Sequence, residues 1–230
     1  MTTPLSKIPN FSPEAMPVLG IDTHLPAIPP EQLTPQALRA RFAETGRAWE
    51  PEIMREHRFV DRSPASAAVL IPIVLREVPM VLLTERTAHL SSHSGQIAFP
   101  GGKTDETDTD AAFTALREAD EEVGLRADFV EVIGTLPTYV TGTAFIITPV
   151  VALVQPGFVL QPNEHEVADA FEVPLGFLMD PAHHRRHAIE WEGVRREWFS
   201  MPFADVARER FIWGATAGML RNLYRFLAAA

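Results

Sequence analysis

Apolar and polar positions alternate between two regimes along this chain. Residues 67–75 form a nearly unbroken apolar run, residues 77–79 (Glu-Val-Pro) interrupt it, and residues 80–84 resume it. Short apolar runs bounded by turn residues read as strands, and this spacing predicts a hairpin. Residues 129–134 and 145–154 read as further strands, joined by a loop containing Pro137, Thr141 and Gly142. Residues 189–194 and 196–201 read as a strand pair around Glu192-Gly193. The period changes between Asp110 and Val123, where Phe113 and Leu116 stand three apart and Ala112, Ala119 and Val123 continue a mostly apolar face. That is a helix docked on a sheet. A last helix is expected from about Phe211 to Leu227, with Leu220, Leu223, Tyr224 and Leu227 on its buried side.

Strands and helices mix without regular βαβ alternation, which predicts an α+β fold with a mixed sheet between helices. The core is expected to begin near Ser66. Residues 61–230 form the main domain, and residues 1–60 are read as an extension. Its first 33 residues are rich in Pro, Thr and Ser and read as an irregular arm. A short helix follows, with Thr34 as N-cap and Pro35 in its first turn. The arm is expected to be a decoration on one domain.

Composition narrows the class. A chain of 230 residues with 46% hydrophobic and 22% charged content is ordinary for a globular domain. A net charge of −10 argues against nonspecific nucleic-acid binding, which needs basic surface. Bound metal and local cations can still admit a phosphorylated small molecule. No uninterrupted apolar run is long enough to span a bilayer, and the N-terminus lacks a basic-then-apolar signal pattern. The absence of cysteine excludes disulfides and thiolate chemistry and fits a cytoplasmic protein. The oligomeric state is left open, a homodimer included.

The chemistry concentrates in residues 82–125. Glu118, Glu121 and Glu122 lie three and four apart on the expected helix, so their carboxylates crowd one side and repel. Hard divalent cations favour such oxygen ligands. A glycine-rich turn, Pro100-Gly101-Gly102, precedes the helix, and Gly124 stands at its C-terminal stop.

These residues resemble a Nudix box: a glycine, five residues, a glutamate, seven residues, then REUxEExGU with U apolar. Gly102 opens it, and Arg117-Glu118-Ala119-Asp120-Glu121-Glu122-Val123-Gly124-Leu125 completes it. The loop holds one residue more than the pattern, and no glutamate stands at the middle position. Counting from Gly102 reaches Asp108, the stand-in for that glutamate; counting back from Arg117 reaches Thr109. Upstream, Leu82-Leu83-Thr84-Glu85-Arg86, His93, Gly95-Gln96 and Phe99-Pro100-Gly101-Gly102 resemble the LLTxR and GQxxFPGG signature of the coenzyme A pyrophosphatase branch. The continuous match spans 44 of the 230 residues.

The resemblance implies an α/β/α sandwich and a Mg²⁺- or Mn²⁺-dependent hydrolase of coenzyme A and its thioesters. It implies Glu118 and Glu122 as metal ligands, Glu121 as a third ligand or general base, and the Gly102 carbonyl as a further ligand. Glu166 resembles the family's extra carboxylate outside the box. Arg117 is read as orienting a liganding carboxylate through Glu121, on a part of the helix away from Glu118. Arg86, His93, Gln96 and Lys103 are candidate substrate contacts. The cluster His183-His184-Arg185-Arg186-His187 reads as a basic surface loop rather than a metal site. Two alternatives stay open: a Nudix pyrophosphatase acting on ADP-ribose, NADH or another nucleoside diphosphate derivative, and a noncatalytic nucleotide sensor.

Overall fold

The computed structural model describes residues 11–58, 60–61, 63–87, 95–206 and 208–229. The hairpin is present: strand β2 (Ala65–Leu75) pairs antiparallel with β3 (Pro79–Arg86). On its other side β2 runs parallel to β8 (Phe145–Val154), from Ala65 opposite Phe145 to Val74 opposite Val154. Strand β6 (Val130–Thr135) and the short β7 (Tyr139–Val140) border β8, β9 (Val167–Pro174) borders β3 and leads into the one-turn helix α3 (Leu175–Leu178), and the short β4 (Ile97–Ala98) and β5 (Gly101–Lys103) pair with β3 and β2. One parallel pairing among antiparallel ones makes the sheet mixed, as expected.

The apolar run of β2 is continuous because both faces are covered. Side chains alternate across a strand. Ala68, Leu70 and Val74 pack with Ala115, Ala119 and Val123 of helix α2 (Ala111–Val123). Ile71 and Ile73 join Leu220, Leu223 and Leu227 of helix α4 (Gly214–Ala228) and Phe199, Met201 and Ile212 on the opposite side. Helix α1 (Pro35–Ala43) has Thr34 at its N-cap, whose hydroxyl accepts from the Ala37 N–H at 3.3 Å. Among the described residues no helix is long and apolar enough to cross a membrane.

Several expectations are corrected. Phe113 is 48% exposed; it lies about 200° around the helix from Ala115, and the small alanines make the docking face. The last helix begins at Gly214, because residues up to Trp213 belong to β12 (Glu209–Trp213). The stretch 183–187 is not a surface loop. Strand β10 (Arg185–Trp191) starts inside it, and His184 and His187 are buried. The arm is not a mere decoration either: its residues form β1 (Gly20–Ile21), which pairs with β10. With β11 (Val194–Ala204) and β12 they build a second sheet in the order β1-β10-β11-β12.

Charge fastens this second layer. Asp22 and Glu52 from the extension alternate with Arg186 of β10 and Arg221 of α4. Arg186 Nη2 meets Asp22 at 2.8 Å and Glu52 at 2.6 Å; Arg221 Nη2 meets Asp22 at 2.8 Å, and its Nε meets Glu52 at 2.6 Å. Burial alone would raise both carboxyls, but the two guanidiniums outweigh it and hold them below their ordinary values. His184 completes the cluster. Its Nε2 lies 2.8 Å from the Leu178 carbonyl, and Arg221 Nη1 lies 3.1 Å from its Nδ1. The ring therefore sits neutral, with Nε2–H donating and Nδ1 accepting. Burial first, and the Arg221 charge as well, push its pKa down to about 4.

The sign of the pH effect follows. Between the unfolded value near 6.5 and the folded value near 4, the unfolded chain binds the extra proton. Stability is therefore full above pH 6.5 and falls as pH drops towards 4, by at most roughly 1.4 kcal/mol per pH unit from this group. Urea midpoints measured at pH 7 and pH 5 should differ less in His184→Gln than in the native chain. An equal difference would show that His184 carries no such linkage.

Candidate active site

Helix α2 is held in register at both ends. The Asp110 carboxylate accepts from the Phe113 N–H at 2.8 Å. Gly124, with φ +68°, closes the C-terminus, and the Leu125 N–H donates to the Ala119 carbonyl at 3.2 Å. With the alanine face pinned to the sheet, Glu122 is driven inward and left 4% exposed. Its Oε2 accepts from the Gly101 N–H at 3.1 Å, and Arg86 Nη1 stands 3.7 Å from Oε1. Glu118, one turn back, lies against Gly102, where any side chain would overlap its carboxyl. Glycine at 102 thus makes room for the Glu118 carboxyl rather than serving a backbone conformation. Gly101 has φ +156°, and a side chain there would strike the backbone of Ala68 and Val69.

Asp108 settles the irregular loop. Arg117 grips it with two bonds, Nε to Oδ1 at 3.0 Å and Nη2 to Oδ2 at 2.9 Å. Thr114 Oγ1 and the Asp105 N–H, each at 2.9 Å, also donate to Oδ2. The side chain is fully shielded, and its guanidinium partner holds it well below the usual carboxylate range. A turn closed by the Asp108 N–H donating to the Asp105 carbonyl at 3.1 Å brings this acid to Arg117. Arg117 is also corrected in direction. Its Nη1 reaches Glu118 at 2.9 Å as well as Glu121 at 3.0 Å, while Nη2 donates to the Lys103 carbonyl at 3.2 Å.

Glu166 is brought alongside by the loop before β9. The Asn163 N–H donates to the Glu122 carbonyl at 2.8 Å, and the Thr87 N–H donates to the Glu166 carbonyl at 3.0 Å. Burial chiefly, with Glu118 and Glu166 adding their charges against Gly101 and Arg86, pushes Glu122 up to about 7. Glu118 is raised for the same first reason, with Glu121 and Glu166 adding to it and Arg117 opposing. Among the described residues, no three acidic or histidine side chains already converge on one point. Glu118 leans on Arg117, Glu122 on Gly101, and the Glu166 carboxylate on Asn163 at 3.3 Å. Desolvated, mutually repelling carboxylates fit a hard divalent cation, which would restore both to the ionised form. Glu121, its side chain 60% exposed, shares the Arg117 Nη1 with Glu118 at the rim of the cluster.

A cleft of about 1510 Å³ opens beside this cluster, lined there by Arg86, Gln96, Gly101, Gly102 and Lys103. Arg86 puts a cation next to the acidic helix, and Lys103 lines the same cleft. The Gln96 carbonyl accepts from the Arg86 N–H at 3.0 Å, which fixes the strand end. His93 lies outside the described residues. Unforeseen are the walls contributed by residues 52–57 and by Trp213 and Phe199 of the second sheet. The first of these has no periodicity to announce it.

Residues 64–209 match the NUDIX domain family. An uncharacterized Nudix hydrolase, NudL, of Escherichia coli O6:H1 is 42% identical over 177 residues, covering 75% of this chain and 86% of the relative. The protein of that description from an Enterobacter species is 43% identical over 158 residues, covering 68% and 80%. Among solved structures, a Caenorhabditis elegans Ap4A hydrolase complex aligns with a TM-score of 0.42 at 21% identity, over 51% of this chain and 85% of that one.

The contact between Gly102 and Glu118 yields a direct test. In Gly102→Ala the far end of a flexible side chain must yield, so the fold should survive while the Glu118 carboxyl is displaced. Half-saturation by Mg²⁺, read by titration calorimetry, should weaken by roughly tenfold or more, with the circular dichroism spectrum unchanged. Unaltered Mg²⁺ affinity would remove Glu118 from the metal site.

Proposed function

The chain belongs to the Nudix hydrolase family and is a diphosphatase, and we propose that it cleaves the diphosphate of coenzyme A and its thioesters. The products are 3′,5′-ADP and 4′-phosphopantetheine or its acyl form. The observation that carries this reading is the signature upstream of the box, from Leu82 to Gly102, and its placement. Among its described residues, Arg86 and the Gly101 N–H meet Glu122 of the acidic helix, and Gln96 lines the cleft beside them. Residues 61–230 are the catalytic domain, with residues 1–60 as its extension.

Glu118 and Glu122 would hold Mg²⁺ or Mn²⁺, with Glu166 and the Gly102 carbonyl as additional ligands. When bound, the cation supplies a water of lowered pKa and charge neutralisation on the phosphate oxygens. Arg86 and Lys103 bind the diphosphate, the former by its planar fork and the latter as a point charge. Gln96, on the cleft lining, is a further substrate contact, and His93 is kept in that role on the signature alone. Water forms one P–O bond as the bridging P–O bond breaks, and a carboxylate receives the proton. Glu121, exposed at the rim, is the candidate base. Arg117 orients Glu118 and Glu121 and is itself oriented by Asp108.

Incubation with CoA and Mg²⁺, with ADP-ribose and NADH in parallel, tests the substrate. Release of 3′,5′-ADP at a rate well above the other two is expected, and Glu122→Gln should abolish it. Hydrolysis of ADP-ribose or NADH without CoA cleavage would keep the diphosphatase and discard the CoA assignment. The pH profile is a second check. Glu122 must lose a proton to hold metal, so activity should rise with pH through the region near 7 when Mg²⁺ is scarce. Raising Mg²⁺ should move that rise to lower pH; a limb insensitive to Mg²⁺ would contradict the assignment.

A further inference from the structure

Between α1 and β2 the described residues form no helix or strand and carry no motif, yet they are bonded into the cleft wall. Asn222 of α4 secures its start: the Glu52 N–H donates to Asn222 Oδ1 at 2.9 Å, and Asn222 Nδ2 donates to the Ile53 carbonyl at 2.6 Å. Glu56 secures its end. Its Oε1 accepts from the Tyr139 hydroxyl and its Oε2 from the Gly142 N–H, both at 2.9 Å. The Glu56 N–H donates to the Val140 carbonyl and the Val140 N–H to the Met54 carbonyl, both at 2.8 Å, so Arg55 sits opposite Val140 in a parallel bridge. Tyr139 is only 2% exposed, and its ring leaves no room for a side chain at Gly218 of α4. A buried phenol needs a partner for its hydroxyl, and Glu56 is that partner.

This clasp holds Arg55 on the lining of the substrate cleft. Among the described residues Arg55 has no carboxylate partner, whereas Arg186, Arg195 and Arg221 are all paired. A chain of net charge −10 that leaves an arginine unneutralised in its cleft has a cation to offer an anionic group. At the box end Arg86 and Lys103 already serve the diphosphate. The volume of about 1510 Å³ exceeds the roughly 300–1,000 Å³ of ordinary small-ligand pockets, so the cleft has room for a substrate that reaches past its reacting centre.

We infer that Arg55 binds the phosphate on the substrate's ribose, remote from the scissile diphosphate, and that Glu56 is the positioning residue that holds it there. The inference rests on the CoA reading above. That phosphate is what CoA has and ADP-ribose, NADH and dephospho-CoA lack, which makes Arg55 a specificity-determining residue.

Steady-state kinetics on CoA and dephospho-CoA decide the matter. Arg55→Ala should raise KM for CoA about tenfold, the scale of one exposed charge-assisted hydrogen bond, with kcat retained and dephospho-CoA unaffected. Arg55→Lys should recover part of the loss. Glu56→Gln, with its melting temperature checked, should show the same confinement to CoA. Equal losses on both substrates, or none, would overturn the inference while leaving CoA hydrolysis standing. Failure of the native chain to cleave CoA would overturn the substrate reading and this inference with it.

Discussion

The close packing of the alanine face of α2 against β2 is the constraint on which the site depends. Ala115 and Ala119 are small enough to bring the helix onto the sheet, and Val123 with Leu125 locks its end. The adjacent residue on that face is Glu122, which the docking carries out of water and onto the Gly101 N–H. A carboxyl in that position is raised towards neutrality by burial and by its acidic neighbours. The apolar packing stabilises a charge arrangement that would be unfavourable on an isolated helix, and a cation is the natural complement.

Arg117 turns this arrangement into a defined geometry. It is anchored from behind by Asp108 and reaches forward to both Glu118 and Glu121. The Asp108 carboxylate thereby ties the loop from Gly102 to Asp110 to the acidic helix. On the opposite side of the sheet, the ring of Asp22, Arg186, Glu52 and Arg221 joins the extension, β10 and α4. The extension then becomes part of the cleft, through Glu56 and Tyr139. Asp22 and Arg221 are its buried members, and Arg186 and Glu52 carry the ring out to the surface, so it ties the three segments together from the interior to the rim.

Legibility in the sequence tracked the range of the interactions. The hairpin of β2 and β3, strand β8 and helix α2 were legible because local periodicity and capping residues suffice to specify them. The acidic helix and the glycines before it were legible for the same reason, being contiguous. Phe113 was misplaced because composition does not show which side of a helix the sheet will accept. His184 and His187 looked like exposed charge because their burial depends on Leu178, Arg221 and Ser200, six to 37 residues away.

The sequence by itself determined the local elements, the acidic helix with its glycine turn, and the family to which the chain belongs. All of these are written in residues within a few turns of one another. Tertiary structure alone decided that Asp108 meets Arg117, that Glu166 stands near Glu122, that residues 20–21 complete a second sheet, and that Glu56 closes the cleft on Tyr139. Those pairings join groups up to 166 residues apart, as Gly20 and Arg186, paired between β1 and β10, show. They depend on which buried polar groups can satisfy one another once the sheet has formed, and no pattern within a window of neighbouring residues encodes that choice.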